Sequence, residues 1–296
     1  MPSRLSSTGS DRGWSLRIAV ITIVRGRHAH LAEQRAGFAR SATAPDTYVV
    51  VAMGDPEITP RLRDTGVRTL DMPADFARLP LARARNLGAD EAVRSGADLL
   101  VFLDVDCVPA PQMLASYRDA AVRAGDRRLL CGPVCYLAAA PSTGYDWQTI
   151  TTTARPHPAR PSPGPGELVF ANGNDLFWSL SFGVTAATWE AIGGFCEEFT
   201  GYGGEDTDFG RSAAREGIGM VWVGGAVAYH QHHPVSDPPV EHLEDIVRNA
   251  RLFFSRWGCW PMQGWLKEFR RRRLIELDDG GHIAITSRCG PHHRHP

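Results

Sequence analysis

The chain has 296 residues, 43% of them hydrophobic and 22% charged, with 32 Lys+Arg against 33 Asp+Glu. That length accommodates one large α/β domain, and a net charge of −1 argues against a general polyanion-binding surface, so nucleic acid is not an expected partner. The content of 8 Trp, 6 Tyr and 12 Phe excludes a chain disordered throughout, and no apolar run reaches the ~18–20 residues of a membrane span.

Residues 1–14 are polar and rich in Ser and Gly, a tail without the apolar stretch of a secretory signal. The six cysteines show no dense spacing, which suits buried free thiols in a reducing compartment, so a cytoplasmic protein is expected. The run from Ser15 to Val24 is β-branched and apolar with no helical period, as in a strand buried on both faces. His30–Ala42 has helical composition, Asp46–Met53 and Val67–Met72 read as strands, and Leu81–Arg94 as a helix. Asp98–Asp106 is a fourth strand and Pro111–Ala124 a helix. This alternation predicts an α/β fold with a mostly parallel central sheet flanked by helices. Active sites of such sheets lie beyond the carboxyl ends of the strands.

The second half is less regular. Ala138–Gly166 reads as a long Pro-, Thr- and Gly-rich loop, whose length marks it as functional or mobile. Glu167–Thr188 is strand-like around Asn172–Gly173–Asn174. Glu205–Glu216 is a helix opened by acidic residues, which its dipole favours. Met220–Tyr229 is a strand ending in His230–Gln231–His232–His233. Helices are expected over Val240–Trp257 and Trp260–Arg273, then a turn at Asp278–Gly281 and a loose final ten residues. No internal repeat or dividing linker is evident, so the chain reads as one domain.

Five segments carry candidate chemistry. Asp104 and Asp106 stand at i and i+2 at a strand end, where both carboxylates can face one divalent cation or nucleotide. Tyr202, Gly203, Gly204, Glu205, Asp206, Thr207 and Asp208 combine an aromatic ring, two glycines that permit close backbone approach, and three carboxylates, one of which can act as a general base. His230, His232 and His233 follow a strand, and one imidazole can complete a metal site begun by Asp106. The other two are expected to be exposed loop residues. Arg25, Arg27, Arg83 and Arg85 lie in segments that converge at the strand ends, as suits a diphosphate and its metal. No phosphate-binding loop of the G-x-x-x-x-G-K-[ST] type and no G-x-G-x-x-G follows the first strand, which argues against a P-loop or Rossmann site.

Taken in order, these segments resemble the nucleotide-sugar glycosyltransferases of the GT-A fold, most closely the β-1,4-galactosyltransferase group and its bacterial glycosyltransferase family 2-like relatives. The matching residues are Arg25 to Leu31, Ala84–Arg85–Asn86–Leu87–Gly88, Val101 to Asp106, and Gly193–Gly194–Phe195 with Tyr202 to Asp208. The resemblance spans about residues 16–255 and departs from the family where Tyr202 replaces Trp, Thr207 replaces an Asp, and Val227 stands where a Met precedes the metal-binding His by three residues, taking His230 as that ligand. It implies a transferase domain over 15–274, with a nucleotide-binding half over about 15–137 and an acceptor and metal half over about 167–258. A C-terminal hairpin and tail over 275–296 would follow.

The implied activity is inverting transfer from a nucleotide-diphosphate sugar, a UDP-sugar of galactose or N-acetylhexosamine type, to a saccharide, lipid, peptide or small-molecule acceptor. Asp106 and His230 would hold Mn²⁺ or Mg²⁺. Asp104 with Arg25, Arg27 and Arg83 or Arg85 would contact the nucleotide. Asp206 would be the base, with Glu205, Tyr202 and the glycines 203 and 204 at the acceptor. Asp208 would be a helix-surface or structural carboxylate. The competing expectations are a retaining transferase of the polypeptide N-acetylgalactosaminyltransferase type and a non-catalytic sugar-nucleotide or glycan-binding protein.

Overall fold

The computed structural model describes residues 16–74, 78–142, 144–234, 236–278 and 280–286. The expected tails over 1–14 and the last ten residues lie outside them. In the first half, β1 (Ile18–Val24), α1 (His28–Ala39), β2 (Thr47–Met53), α2 (Ile58–Leu62), β3 (Arg68–Met72), α3 (Leu81–Arg94) and β4 (Leu99–Leu103) alternate, all but the short α2 as the apolar runs predict. Every residue of β1 is buried, because successive side chains serve opposite faces of a sheet covered on both sides. Ile18, Val20 and Val24 join one apolar layer with Val50, Val101 and Tyr117. Ala19, Ile21 and Ile23 join the other with Val51, Phe102 and Phe182.

Next come β5 (Cys107–Pro109), α4 (Met113–Ala124), β6 (Arg128–Cys131), β7 (Val134–Tyr136), α5 (Ile150–Thr153), β8 (Arg155–Pro156), β9 (Leu168–Phe170) and β10 (Ser181–Thr185). The chain continues through α6 (Ala186–Ile192), α7 (Glu205–Arg215), β11 (Gly219–Val223), β12 (Ala228–His230), α8 (Leu243–Trp257), α9 (Gln263–Arg271), β13 (Ile275–Leu277) and β14 (Ile283–Ile285). The main sheet has eight strands in the order β3-β2-β1-β4-β10-β6-β11-β9. Strands β3, β2, β1 and β4 are mutually parallel, as are β6 and β11. Antiparallel β10 stitches these groups together, and β9 runs antiparallel to β11 at the edge. A second sheet, β5-β12-β7-β8, sets His230 opposite both Cys107 and Tyr136.

Three sequence expectations are corrected. The loop over 138–166 contains α5 and β8, the latter paired antiparallel with β7. Asn172–Gly173–Asn174 lies between strands rather than in one. The buried Asn174 amide donates to the Gly210 and Ile218 carbonyls at 2.9 and 3.0 Å, so its side chain bridges other elements, as Asn does in turns. The run Met220–Tyr229 is two strands in different sheets. It breaks at Gly224–Gly225, where the long loop passes so close that a Cβ on Gly224 would meet the Gly164 carbonyl oxygen at 1.7 Å.

Candidate active site

Strand β4 stops at Leu103, and Asp104–Val105–Asp106 forms a turn into β5. The two carboxylates therefore do not share one face of a strand, as expected from the sequence, but reach different partners. The turn is braced from below by Gln34, fully buried in α1, whose amide donates to the Asp104 and Cys107 carbonyls at 2.8 and 2.9 Å.

Asp106 faces two imidazoles. Its Oδ1 lies 3.6 Å from His230 Nε2, and its Oδ2 lies 3.4 Å from His233 Nε2. One donor atom from each residue lies within 4.8 Å of the others. One carboxylate and two imidazoles form a donor set suited to a first-row divalent metal with positions left for other ligands, so these residues fit such an ion. Burial lowers the His230 pKa, despite the opposing effect of Asp106, and so favours the neutral imidazole that ligation needs. Asp106 itself is held below its ordinary range. Burial acts upward there but is outweighed by a hydrogen bond with His233 and the charges of His230 and Arg27. Of the histidines expected to be exposed, only His232 is so. His233 turns inward, because the Asp106 carbonyl accepts from Gln231 N–H at 2.7 Å and keeps the chain beside the turn.

Asp104 belongs to a second cluster built around Arg85, which is 5% exposed in α3. Arg85 Nη2 lies 3.2 Å from Asp104 Oδ1, and Nη1 lies 3.5 Å from Glu205 Oε1. Burial raises the Asp104 pKa to about 6, with Arg85 opposing and Asp106 and Asp206 adding. Burial likewise raises Glu205 to about 7, with Asp206 adding and Arg85 opposing. Asp206 Oδ2 accepts from the Ser179 backbone N–H at 3.1 Å. Its Oδ1 is buried without a hydrogen-bond partner.

A profile of the family described as the N-terminal domain of galactosyltransferase matches residues 171–234, which include the glycine and acidic segment and His230. Validoxylamine A glucosyltransferase of Streptomyces hygroscopicus subsp. limoneus is 30% identical over 244 residues, covering 69% of this chain and 49% of that protein. Chondroitin synthase of Escherichia coli is 30% identical over 176 residues, covering 52% of this chain and 25% of that one. The chain thus spans about half or less of the length of these relatives. The crystal structure of GalNAc-T7 with UDP, GalNAc and Mn²⁺ superposes with a TM-score of 0.58 at 15% identity, covering 88% of this chain and 55% of that one. Staphylococcus aureus TarS 1-349 gives 0.54 at 12% identity, covering 80% and 64%. The chain has the GT-A glycosyltransferase fold.

Within this GT-A domain the other candidates divide. Arg27, in a left-handed conformation (φ 47°), places Nη1 2.9 Å from Asp106 Oδ2, so it adjoins the metal-type cluster directly. Arg25 is half-buried in the same loop, and Arg83 is exposed; of the pair 83 and 85, it is Arg85 that joins the acidic cluster. Tyr202 does not stand alone, since its ring stacks on His242 at 4.5 Å and on Trp265 at 5.7 Å. Gly203 and Gly204 have φ of +90° and +94°, a turn that glycine adopts without strain and that brings Glu205 into the first turn of α7. Asp208 is 1% exposed, bound by Arg256 Nε at 2.6 Å and Trp257 Nε1 at 2.8 Å. It is structural and buried, not a helix-surface residue.

Several positioning roles were not read from the sequence, although Asn86 lies in a matching segment. Asp55 at the end of β2 accepts from Gly26 N–H at 2.7 Å and contacts His28 Nε2 at 2.9 Å, fixing the loop of Arg25 and Arg27. Asn86 ties α3 to Phe195 through both backbone groups, at 2.8 and 2.9 Å. Asn249 in α8 donates to the carbonyls of Thr200, Tyr202 and Gly203 at 3.0, 3.3 and 2.7 Å. A lone polar residue on the apolar face of an amphipathic helix was the available signal in the last case.

Proposed function

We propose that this domain is a metal-dependent inverting transferase moving a sugar from a nucleotide diphosphate, a UDP-sugar by resemblance, to an acceptor hydroxyl. The observation that carries the reading is the pairing of two sites: the Asp106, His230 and His233 donor set, and a carboxylate, Asp206, with one oxygen left without a partner. Arg85 contacts both Asp104, two residues before Asp106, and Glu205, next to Asp206, which supports reading the two sites together. A divalent ion at the first site would supply Lewis-acid stabilisation of the leaving diphosphate.

The chain's own residues perform the remaining work. Arg25 and Arg27 flank the diphosphate, with Arg27 competing for Asp106 until a ligand draws it away. Asp206 accepts the proton of the acceptor hydroxyl through Oδ1 as that oxygen bonds to the anomeric carbon. The bond from that carbon to the diphosphate oxygen breaks, and its electron pair leaves with the nucleotide. General-base assistance of this kind is worth ~10²–10⁴-fold. Ser179 N–H holds the other Asp206 oxygen and so fixes the direction of the first. Glu205, whose carboxyl burial pushes up to about 7, orients the acceptor by hydrogen bonding, and Tyr202 with its stacked neighbours offers an aromatic edge for a sugar ring.

The test is a donor screen over UDP-, GDP- and dTDP-sugars, with and without Mn²⁺, followed by NMR of the product anomer. Mn²⁺-dependent turnover of a UDP-sugar with inverted configuration is expected. A retained anomer would instead make the chain a retaining transferase. Binding of UDP without turnover against any acceptor would reduce it to a sugar-nucleotide-binding protein.

A further inference from the structure

Arg160 lies in the segment between β8 and β9 and is 8% exposed. Its guanidinium carbon sits 4.9 Å from the ring centre of Trp178 and 4.7 Å from that of Trp222. Its Nε and Nη2 are buried and have no hydrogen-bond partner, and among the described residues no carboxylate pairs with it. These two nitrogens form one edge of the guanidinium, a side-on fork whose N–H groups point in parallel and match a carboxylate or phosphate. In three other arginines the same edge is filled, whereas Arg128, Arg211 and Arg248 leave only Nε of it buried without a partner. Arg256 turns it on Asp208 at 2.6 and 3.4 Å, Arg271 on Glu268 at 2.7 and 2.6 Å, and Arg251 on the Ile283 carbonyl at 3.0 and 2.7 Å.

A buried cation without an acceptor is costly, and two indoles already lie against its ring-like face, so only its edge is left for an acceptor. The surroundings connect it to both clusters of the candidate site. The Trp178 ring meets His157 at 4.8 Å, His157 meets Tyr136 at 6.0 Å, and Tyr136 lies on His230 at 4.9 Å. In the other direction, Ser179, next to Trp178, holds Asp206. The Tyr136 hydroxyl feels Arg160 as well as Asp104 and Asp106. This wall therefore runs from the metal-type cluster to the base, the interval in which the reading above sets the transferred sugar. Trp178 and His157 are each partly exposed, so solvent reaches the wall.

We propose that the Nε and Nη2 fork of Arg160 receives an oxyanion, a carboxylate or phosphate, carried by the sugar substrate and not by the nucleotide diphosphate. This rests on the transferase reading and narrows it to an acidic sugar, as donor or as acceptor. Neutral hexosyl donors would leave the fork empty.

Calorimetry in Mn²⁺ with the wild-type protein, Arg160→Met and Arg160→Lys tests it, with melting curves to show that each variant folds. UDP-glucuronate is expected to bind about 10-fold or more tightly than UDP-glucose. Arg160→Met should erase that preference and Arg160→Lys should restore part of it, while UDP binds all three proteins alike. If the two donors bind alike, titration of glucuronate and glucose 6-phosphate onto the UDP complex asks whether the anion belongs to the acceptor, and Arg160-dependent binding there also supports the proposal. Absence of an Arg160-dependent anion preference in every arm overturns it, as does a fall in UDP affinity itself, which would give the fork to the diphosphate. Failure of UDP to bind the wild-type protein would overturn the transferase reading instead. Glucuronate and glucose 6-phosphate titrated onto the protein alone would then still judge the fork.

Discussion

Asp106 is the residue on which the metal reading turns, because it contacts His230, His233 and Arg27 together. Asp106→Ala is expected to remove Mn²⁺ binding measured by calorimetry and, with it, donor turnover. His230→Ala and His233→Ala should each weaken Mn²⁺ by about 10-fold or more, whereas exposed His232→Ala should leave it unchanged. Metal binding at wild-type strength in Asp106→Ala would move the site elsewhere. A second contrast separates the α7 carboxylates. Asp206→Asn keeps the Ser179 N–H bond but removes basicity, so kcat should fall by on the order of 10²-fold while the UDP Kd stays the same. Asp208→Asn weakens a buried charged contact with Arg256 and Trp257, so it should cost about 2–3 kcal/mol of unfolding free energy before it affects chemistry. Equal kcat for Asp206→Asn and the wild type would remove Asp206 as base.

At the level of elements, the site depends on contacts that join segments far apart in the chain. Helix α8 clamps the loop of Tyr202 through Asn249, Asp245 N-terminal to it, and Arg248, which bonds the Thr200 carbonyl. Asn249→Ala should therefore raise the acceptor KM more than the donor KM, since the donor side is held by α1, α3 and the turn after β4. Equal rises in both constants would mean a general loss of structure. The segment over 138–166 meets the metal-type cluster through Tyr136 and His157, and limited proteolysis should cut it less readily in UDP and Mn²⁺. An unchanged cutting rate would count against its closure over a donor.

The parallel strands and α3 were legible because a doubly buried strand is written as an unbroken apolar run. Asp106 and the Gly203–Gly204 turn stood out because a carboxylate closing an apolar strand and a glycine pair before an acidic helix are visible in local pattern, whereas nothing local separated Arg85 from Arg83, or Asp206 from the structural Asp208. His233 and the fork of Arg160 were not legible, since their placement comes from the pairing of β12 with β5 and β7, and from Trp178 and Trp222 packing on one guanidinium. Local pattern carries no record of such long-range pairing.

Across the whole molecule, the acidic cluster links stability to pH. Arg85 of α3, Asp104 after β4 and Glu205 of α7 meet in one buried place, and the guanidinium does not offset the cost of ionising both carboxyls. Asp104 rises from 3.8 to about 6 and Glu205 from 4.5 to about 7. A carboxyl whose folded pKa lies above its unfolded value binds its proton more tightly in the native state, so its stabilising share is complete below the unfolded pKa and is lost as pH rises through the folded one. For Glu205 the loss falls between about pH 4.5 and 7. Carboxylates held low, such as Glu91 and Glu268 by their arginines, act in the opposite sense at lower pH, so the total curve does not isolate the cluster. Glu205→Gln does isolate it, because the amide keeps the shape but does not titrate. In chelator, the Tm of Glu205→Gln minus that of the wild type should increase by about 2 °C or more between pH 5 and pH 8. A difference that stays flat across that interval would mean that Glu205 ionises in the folded chain as readily as it does unfolded.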